Sequence, residues 1–131
     1  MSHPSKIAFI DDNRDTLRAA EVELTASGFE VLCVSDSSEA VEKLEDFLPD
    51  LIFLDIMMPK IDGFTLCRQL REVDTFNNSK IVFVSAKKFD VDKRMARELG
   101  ADGYLEKPFQ TQQLTQKARS MLQSNARIKF W

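Results

Sequence analysis

Five times along this chain a short apolar run gives way to an amphipathic segment, and that alternation leaves few folds open. The runs lie at about residues 6–11, 30–34, 51–55, 80–84 and 103–106. They are continuous rather than alternating, as in strands covered on both faces, so they predict a parallel sheet with helices on each side. Right-handed crossovers restrict the topology further. The intervening segments carry apolar residues at helical spacing. Leu17, Ala20 and Leu24 mark a helix over about 14–27 that stops at Gly28. A second helix, about 37–47, follows Asp36 with Glu39 three residues on, a capping-box arrangement, and ends before Pro49. Asp62 is placed to cap a third helix, on which Phe64, Cys67 and Leu70 share a face, and the polar stretch 74–79 reads as a loop. Asp90 and Gly100 bracket a fourth helix at about 91–99, and Leu114, Ala118 and Met121 stripe a last one at about 112–125. The expected class is therefore α/β, a doubly wound parallel sheet.

With 131 residues, 44% of them hydrophobic and 30% charged, the chain suffices for one domain with a core of its own. The expected organisation is a disordered terminus over 1–5, a domain over 6–124, and a tail or start of a linker over 125–131. A net charge of −3 gives no support for direct nucleic-acid binding. No apolar run approaches the length that spans a bilayer, and no secretory signal follows the polar N-terminus, so a cytoplasmic protein without membrane insertion is expected. His3, the single histidine, reads as solvated. Cys33 and Cys67 sit in apolar stretches outside any metal-binding pattern and read as reduced thiols, with a disulfide left open by sequence alone.

The strand ends are where the chemistry gathers. The first run ends in Asp11-Asp12, the third in Asp55, the fourth in Ser85 and the fifth in Lys107-Pro108. In open α/β sheets ligands bind beyond the carboxyl ends of the strands. Three carboxylates, a hydroxyl and an ammonium at one edge can hold a divalent cation and a phosphoryl group. Asp55, ionised at neutral pH, can take a phosphoryl group without a general base. Mg2+ held by Asp12 and Asp55, with Asp11 close by, would lessen the repulsion between the two anions. Lys107, the Ser85 hydroxyl and the main-chain N–H groups of Met57 and Ala86 are candidates to cradle the phosphoryl oxygens. Singly, each residue has a plainer reading: a helix cap for Asp11-Asp12, a surface acid for Asp55, a turn residue for Ser85, a snorkelling lysine for Lys107. Their conjunction at strand ends carries the argument.

As a set, Asp11-Asp12, Asp55, Met58-Pro59 with Asp62-Gly63, Ser85-Ala86, Lys107-Pro108-Phe109 and the run Gly100–Tyr104 resemble the receiver domain of two-component response regulators. The resemblance covers about 6–123. It implies a flavodoxin-like, five-stranded parallel sheet in the order 2-1-3-4-5. It implies that Asp55 accepts phosphate from a histidine kinase or histidine phosphotransfer protein with Mg2+, which Mn2+ can replace. Asp11, Asp12, Asp55 and the Met57 carbonyl would serve the metal, and Ser85, the Ala86 N–H and Lys107 the phosphoryl group. Ser85 and Tyr104 would switch, Lys107-Pro108 would be cis, and output would pass through the face of the fourth helix, fifth strand and fifth helix to a downstream protein or a phosphorylation-dependent homodimer. Met57 and Lys87, two residues beyond Asp55 and Ser85, resemble a slowly dephosphorylating member more than a fast one; plain packing of Met57 and solvation of Lys87 are the alternative.

Other readings fare less well. A Mg2+-dependent phosphohydrolase would need an acid two residues after its nucleophile, where this chain has Met57. A flavin site lacks a phosphate-cradling loop after the first strand, where Asp11-Asp12 would repel an anion. A phosphorylation-independent binding module predicts a damaged acidic cluster, and this one is complete. A receiver excised from a longer regulator stays open. The aromatic tail Phe130-Trp131 could dock or fray.

Overall fold

The computed structural model describes residues 3–86 and 90–123, without the side chains of 90–92. The elements run β1 (Lys6–Ile10), α1 (Arg14–Ala26), β2 (Glu30–Val34), a 3-10 turn (Ser37–Glu39), α2 (Ala40–Phe47), β3 (Leu51–Asp55), α3 (Gly63–Arg71), a second 3-10 turn (Asp74–Phe76), β4 (Lys80–Ser85), α4 (Asp90–Glu98), β5 (Gly103–Glu106) and α5 (Thr111–Gln123). The five strands form one sheet in the order β2-β1-β3-β4-β5, every pair parallel. The doubly wound α/β expectation and its strand order hold.

Strand side chains alternate between two cores, as a pleat requires. Ala8, Ile10, Ile52, Leu54, Ile81 and Phe83 face α2 and α3 with Leu44, Leu66 and Leu70. Ile7, Phe9, Leu51, Phe53, Val82 and Val84 face α1 and α5 with Leu24, Leu114 and Met121. Both faces being covered, the central strands have no polar side to show, and this is why their sequences are continuous apolar runs. Phe9 stacks on Phe53 at 5.4 Å, and Phe64 meets Phe83 edge-on at 5.3 Å.

Several local expectations need correction. The helix expected from Ser37 opens as a 3-10 turn, with Asp36 accepting from the Ser38 N–H. Glu39 does not close a capping box; its carboxylate meets Lys43 at 3.0 Å. α2 ends on Leu48 in the left-handed region (φ 57°), a position no glycine signalled. The polar loop 74–79 contains a helical turn that buries Phe76 completely. β4 runs one residue further than expected, to Ser85, and α5 begins one residue earlier, at Thr111; residues 124–125, to which the last helix is expected to run, lie outside the described residues. Cys33 and Cys67 are free thiols. Lys87 and the tail with Phe130-Trp131 lie outside the described residues. Among the described residues no helix is long and apolar enough to cross a membrane.

Candidate functional site

The turn after β1 sets the first two carboxylates. Asp11 is buried at 1% exposure, and its Oδ1 accepts from the Asn13 N–H at 2.9 Å. Asn13 in turn caps α1, its Oδ1 accepting from Asp15 and Thr16 N–H. That turn leaves Asp12 exposed beside the buried Asp11. β3 neighbours β1, so Asp55 at its end, 6% exposed, falls alongside. One carboxylate oxygen from each of Asp11, Asp12 and Asp55 lies within 4.8 Å of the others.

Lys107, just past β5, reaches over β4 to this cluster. Its Nζ donates to Asp11 Oδ2 at 2.7 Å and lies 3.6 Å from Asp55 Oδ1. The Lys107 N–H donates to the Ser85 carbonyl at 2.9 Å, and the Lys107–Pro108 peptide is cis. Ser85 is buried at the end of β4, opposite Glu106, with Ala86 exposed beyond it.

The electrostatics follow from this packing. Burial, then the neighbouring Asp11 charge, push the Asp55 carboxyl up to about 6, against the pull of Lys107. Burial pulls the Lys107 ammonium down, but its bond to Asp11 and the charges of Asp11 and Asp55 outweigh burial and hold it above its usual value. Asp55 thus sits in a cluster of three carboxyl groups beside a single lysine. Three carboxylates of hard oxygen donors, at this mutual distance, fit a cation such as Mg2+.

The loop between β3 and α3 carries the remaining expected ligand, the Met57 carbonyl, while the Met57 side chain is 61% exposed. The Gly63 N–H donates to the Ile56 carbonyl at 2.8 Å and closes this loop at its base. A Cβ at Gly63 would lie 2.2 Å from the Asp55 carbonyl oxygen, so only glycine lets α3 start there. Tyr104 is 7% exposed in the core facing α2 and α3. Lys93 lies 5.6 Å above its ring and 3.5 Å from Glu106, which ties α4 to β5 over the expected switch residue.

Sequence reasoning missed two polar ties. Ser37 bonds the loop after β3 at Pro59 and Ile61. Arg71 joins α3 to the turn before β5 through the Gly100 carbonyl and Asp102, and also holds the Phe76 carbonyl in the turn that follows α3. The bonds of Ser37 to Pro59 and Ile61 and of Arg71 to Gly100 and Asp102 link residues far apart in sequence, so no local spacing signals them.

This arrangement of a parallel sheet with an acidic cluster and a lysine at its carboxyl edge has a family. The chain matches the response regulator receiver domain over residues 7–119. It is 38% identical over 117 residues to the alkaline phosphatase synthesis transcriptional regulatory protein PhoP of Bacillus subtilis (strain 168), a match covering 89% of this chain and 48% of the relative. Its fold superposes on the Vibrio cholerae chemotaxis protein CheY4 with a TM-score of 0.87 at 25% identity, covering 91% of this chain and 99% of that one. It likewise resembles the BeF3-activated N-terminal receiver domain of Klebsiella pneumoniae RstA, with a TM-score of 0.84 at 29% identity over 92% of this chain and all of that one (100%). The chain belongs to the response regulator receiver family of two-component systems. It spans about half (48%) of the length of the PhoP relative.

Proposed function

We propose that this receiver accepts a phosphoryl group on Asp55 from a histidine kinase or a histidine phosphotransfer protein and signals the change through protein contacts. The observation that carries this is the meeting of Asp11, Asp12 and Asp55 within 4.8 Å beside the Lys107 ammonium. Asp12, Asp55 and the Met57 carbonyl would hold Mg2+, with Asp11 assisting. The bound ion supplies charge neutralisation between the Asp55 carboxylate and the incoming phosphoryl group.

Asp55 attacks phosphorus through a carboxylate oxygen, a mixed anhydride forms, and the donor nitrogen leaves with its electron pair. Lys107 meets one phosphoryl oxygen, and Ser85 and the Ala86 N–H take others. These contacts exist only in the phosphorylated state, so they bias Ser85, and Tyr104 beyond it, toward a second arrangement. The α4-β5-α5 face reports that shift to a downstream protein or a second copy of the chain, with the Lys93 tie to Tyr104 and Glu106 in its path. The receiver acts as a phospho-acceptor whose turnover is limited to its own phosphorylation and slow dephosphorylation. The exposed Met57 side chain supports the slow step, since an apolar group there offers attacking water no hydrogen-bond partner.

Intact mass spectrometry with acetyl phosphate as donor tests this. One phosphoryl adduct on the wild type, lost without Mg2+ and lost in Asp55→Ala, is expected. An adduct that persists in Asp55→Ala would contradict it.

A further inference from the structure

We infer that Ser37, on the β2–α2 connection, is a positioning residue that holds the loop after β3 and thereby sets the affinity of the acidic site for Mg2+. The inference rests on the reading of Asp12, Asp55 and the Met57 carbonyl as the metal's ligands.

The loop 56–62 is fixed at its base, where the Gly63 N–H meets the Ile56 carbonyl at 2.8 Å. Nothing in that bond fixes the outer part, from Met57 to Ile61. Met57 contributes little anchorage through its side chain, which is 61% exposed. At the far side, the Ile61 N–H donates to the Pro59 carbonyl at 2.9 Å around Lys60, whose φ is 70°. A three-residue turn with a non-glycine residue at positive φ is the rarer, strained form. Such strain persists only where the surroundings over-determine it.

Met58 and Ile61 pack against the core on either side of the turn, and Ser37 supplies the polar part of those surroundings. Its Oγ donates to the Pro59 carbonyl at 2.9 Å and accepts from the Ile61 N–H at 3.0 Å. One hydroxyl therefore bridges both ends of the strained turn. Ser37 is 3% exposed, so water does not readily replace it. Outside it, Lys60 meets Asp36 at 2.7 Å, but both groups are solvent-accessible, and such a pair contributes little. Without the hydroxyl, the turn loses the one group that bonds both of its ends, Lys60 can relax toward ordinary φ, and the stretch between Asp55 and Lys60 shifts with it. That stretch holds the Met57 carbonyl. Groups that orient a ligand without touching the metal commonly change its affinity by about 10–100-fold.

The test is calorimetric titration of Mg2+ into the full chain, comparing wild type, Ser37→Ala and Ser37→Gly, with circular dichroism confirming each fold. The Mg2+ Kd is expected to rise about 10-fold in both variants. Phosphorylation by acetyl phosphate is expected to need correspondingly more Mg2+ and to reach the wild-type rate at saturation. Kd values within about twofold of wild type, or a lowered ceiling with unchanged Mg2+ dependence, would overturn the role of Ser37. Absence of Mg2+ binding in the wild type itself would instead overturn the ligand assignment, and this inference with it.

Discussion

Asp55 is ionised at neutral pH in a place that disfavours its charge. Its folded pKa of about 6 lies above the unfolded value near 3.8, so between those values the folded state binds the extra proton. Metal-free stability therefore falls as pH rises from about 4 to about 6, and the loss is complete above that. Asp55→Asn without Mg2+ at pH 7 is expected to gain on the order of 2 kcal/mol in urea unfolding, with the gain gone below about pH 4. An unchanged stability difference across that range would contradict the electrostatic account. Asp11, Asp12, Asp55, Ser85 and Lys107 were legible in the sequence because each follows an apolar run, and parallel strands bring such ends together. Ser37 was not: beside Asp36 it reads as a helix start, and its bonding partners lie 22 and 24 residues away.

Element boundaries were readable where the deciding partner was local. Asp62 caps α3, its Oδ1 accepting from the Thr65 N–H at 2.8 Å. Asp62→Ala should therefore cost about 1 kcal/mol in urea unfolding. Gly63 stands next to it for a different reason, the approach of the Asp55 carbonyl, and Gly63→Ala should cost more, about 3 kcal/mol. Equal effects at the two positions would show that the close approach is not limiting. The capping box at Asp36 and Glu39 does not form: the segment opens as a 3-10 turn in which Asp36 accepts from the Ser38 N–H, and the Glu39 carboxylate lies by Lys43 one turn on. Phe76, in a polar stretch, was hidden by its neighbours' composition, although it is fully buried. The Arg71 tie is also an element-level device: it anchors α3 to the turn before β5 through the Gly100 carbonyl and through Asp102, which is 1% exposed and also accepts from the Ile81 N–H. Arg71→Ala should destabilise by about 3 kcal/mol, because it removes a hydrogen-bonded cation from beside a buried carboxylate. A loss under about 1 kcal/mol would mean that the tie is dispensable.

Across the whole molecule, the layering came from periodicity and the strand order from family resemblance. Continuous apolar strands require cover on both faces, but periodicity does not say which strand neighbours which. In the structure β1 lies between β2 and β3, and this brings Asp11 and Asp12 beside Asp55. The order thus makes the site, and a cation shared among these acids should couple site and fold. Mg2+ at about 100 times its Kd is expected to raise the unfolding free energy by about 2.7 kcal/mol. That gain should vanish in Asp55→Ala. For the proposed phosphoryl group on Asp55, the lifetime belongs to this scale too, since the resemblance implies that positions 57 and 87 flank the path of attacking water. Met57→Asn combined with Lys87→Glu should lose phosphate several-fold faster than wild type, and equal decay rates would contradict the shielding role.

The most direct test of Asp55 as acceptor is borohydride reduction of the phosphorylated protein followed by peptide mass spectrometry. Hydride displaces phosphate from an aspartyl phosphate and leaves homoserine at that position. Homoserine is expected at residue 55 and nowhere else, dependent on both donor and Mg2+. Homoserine at Asp11 or Asp12, or a phosphoryl group that borohydride does not remove, would contradict it.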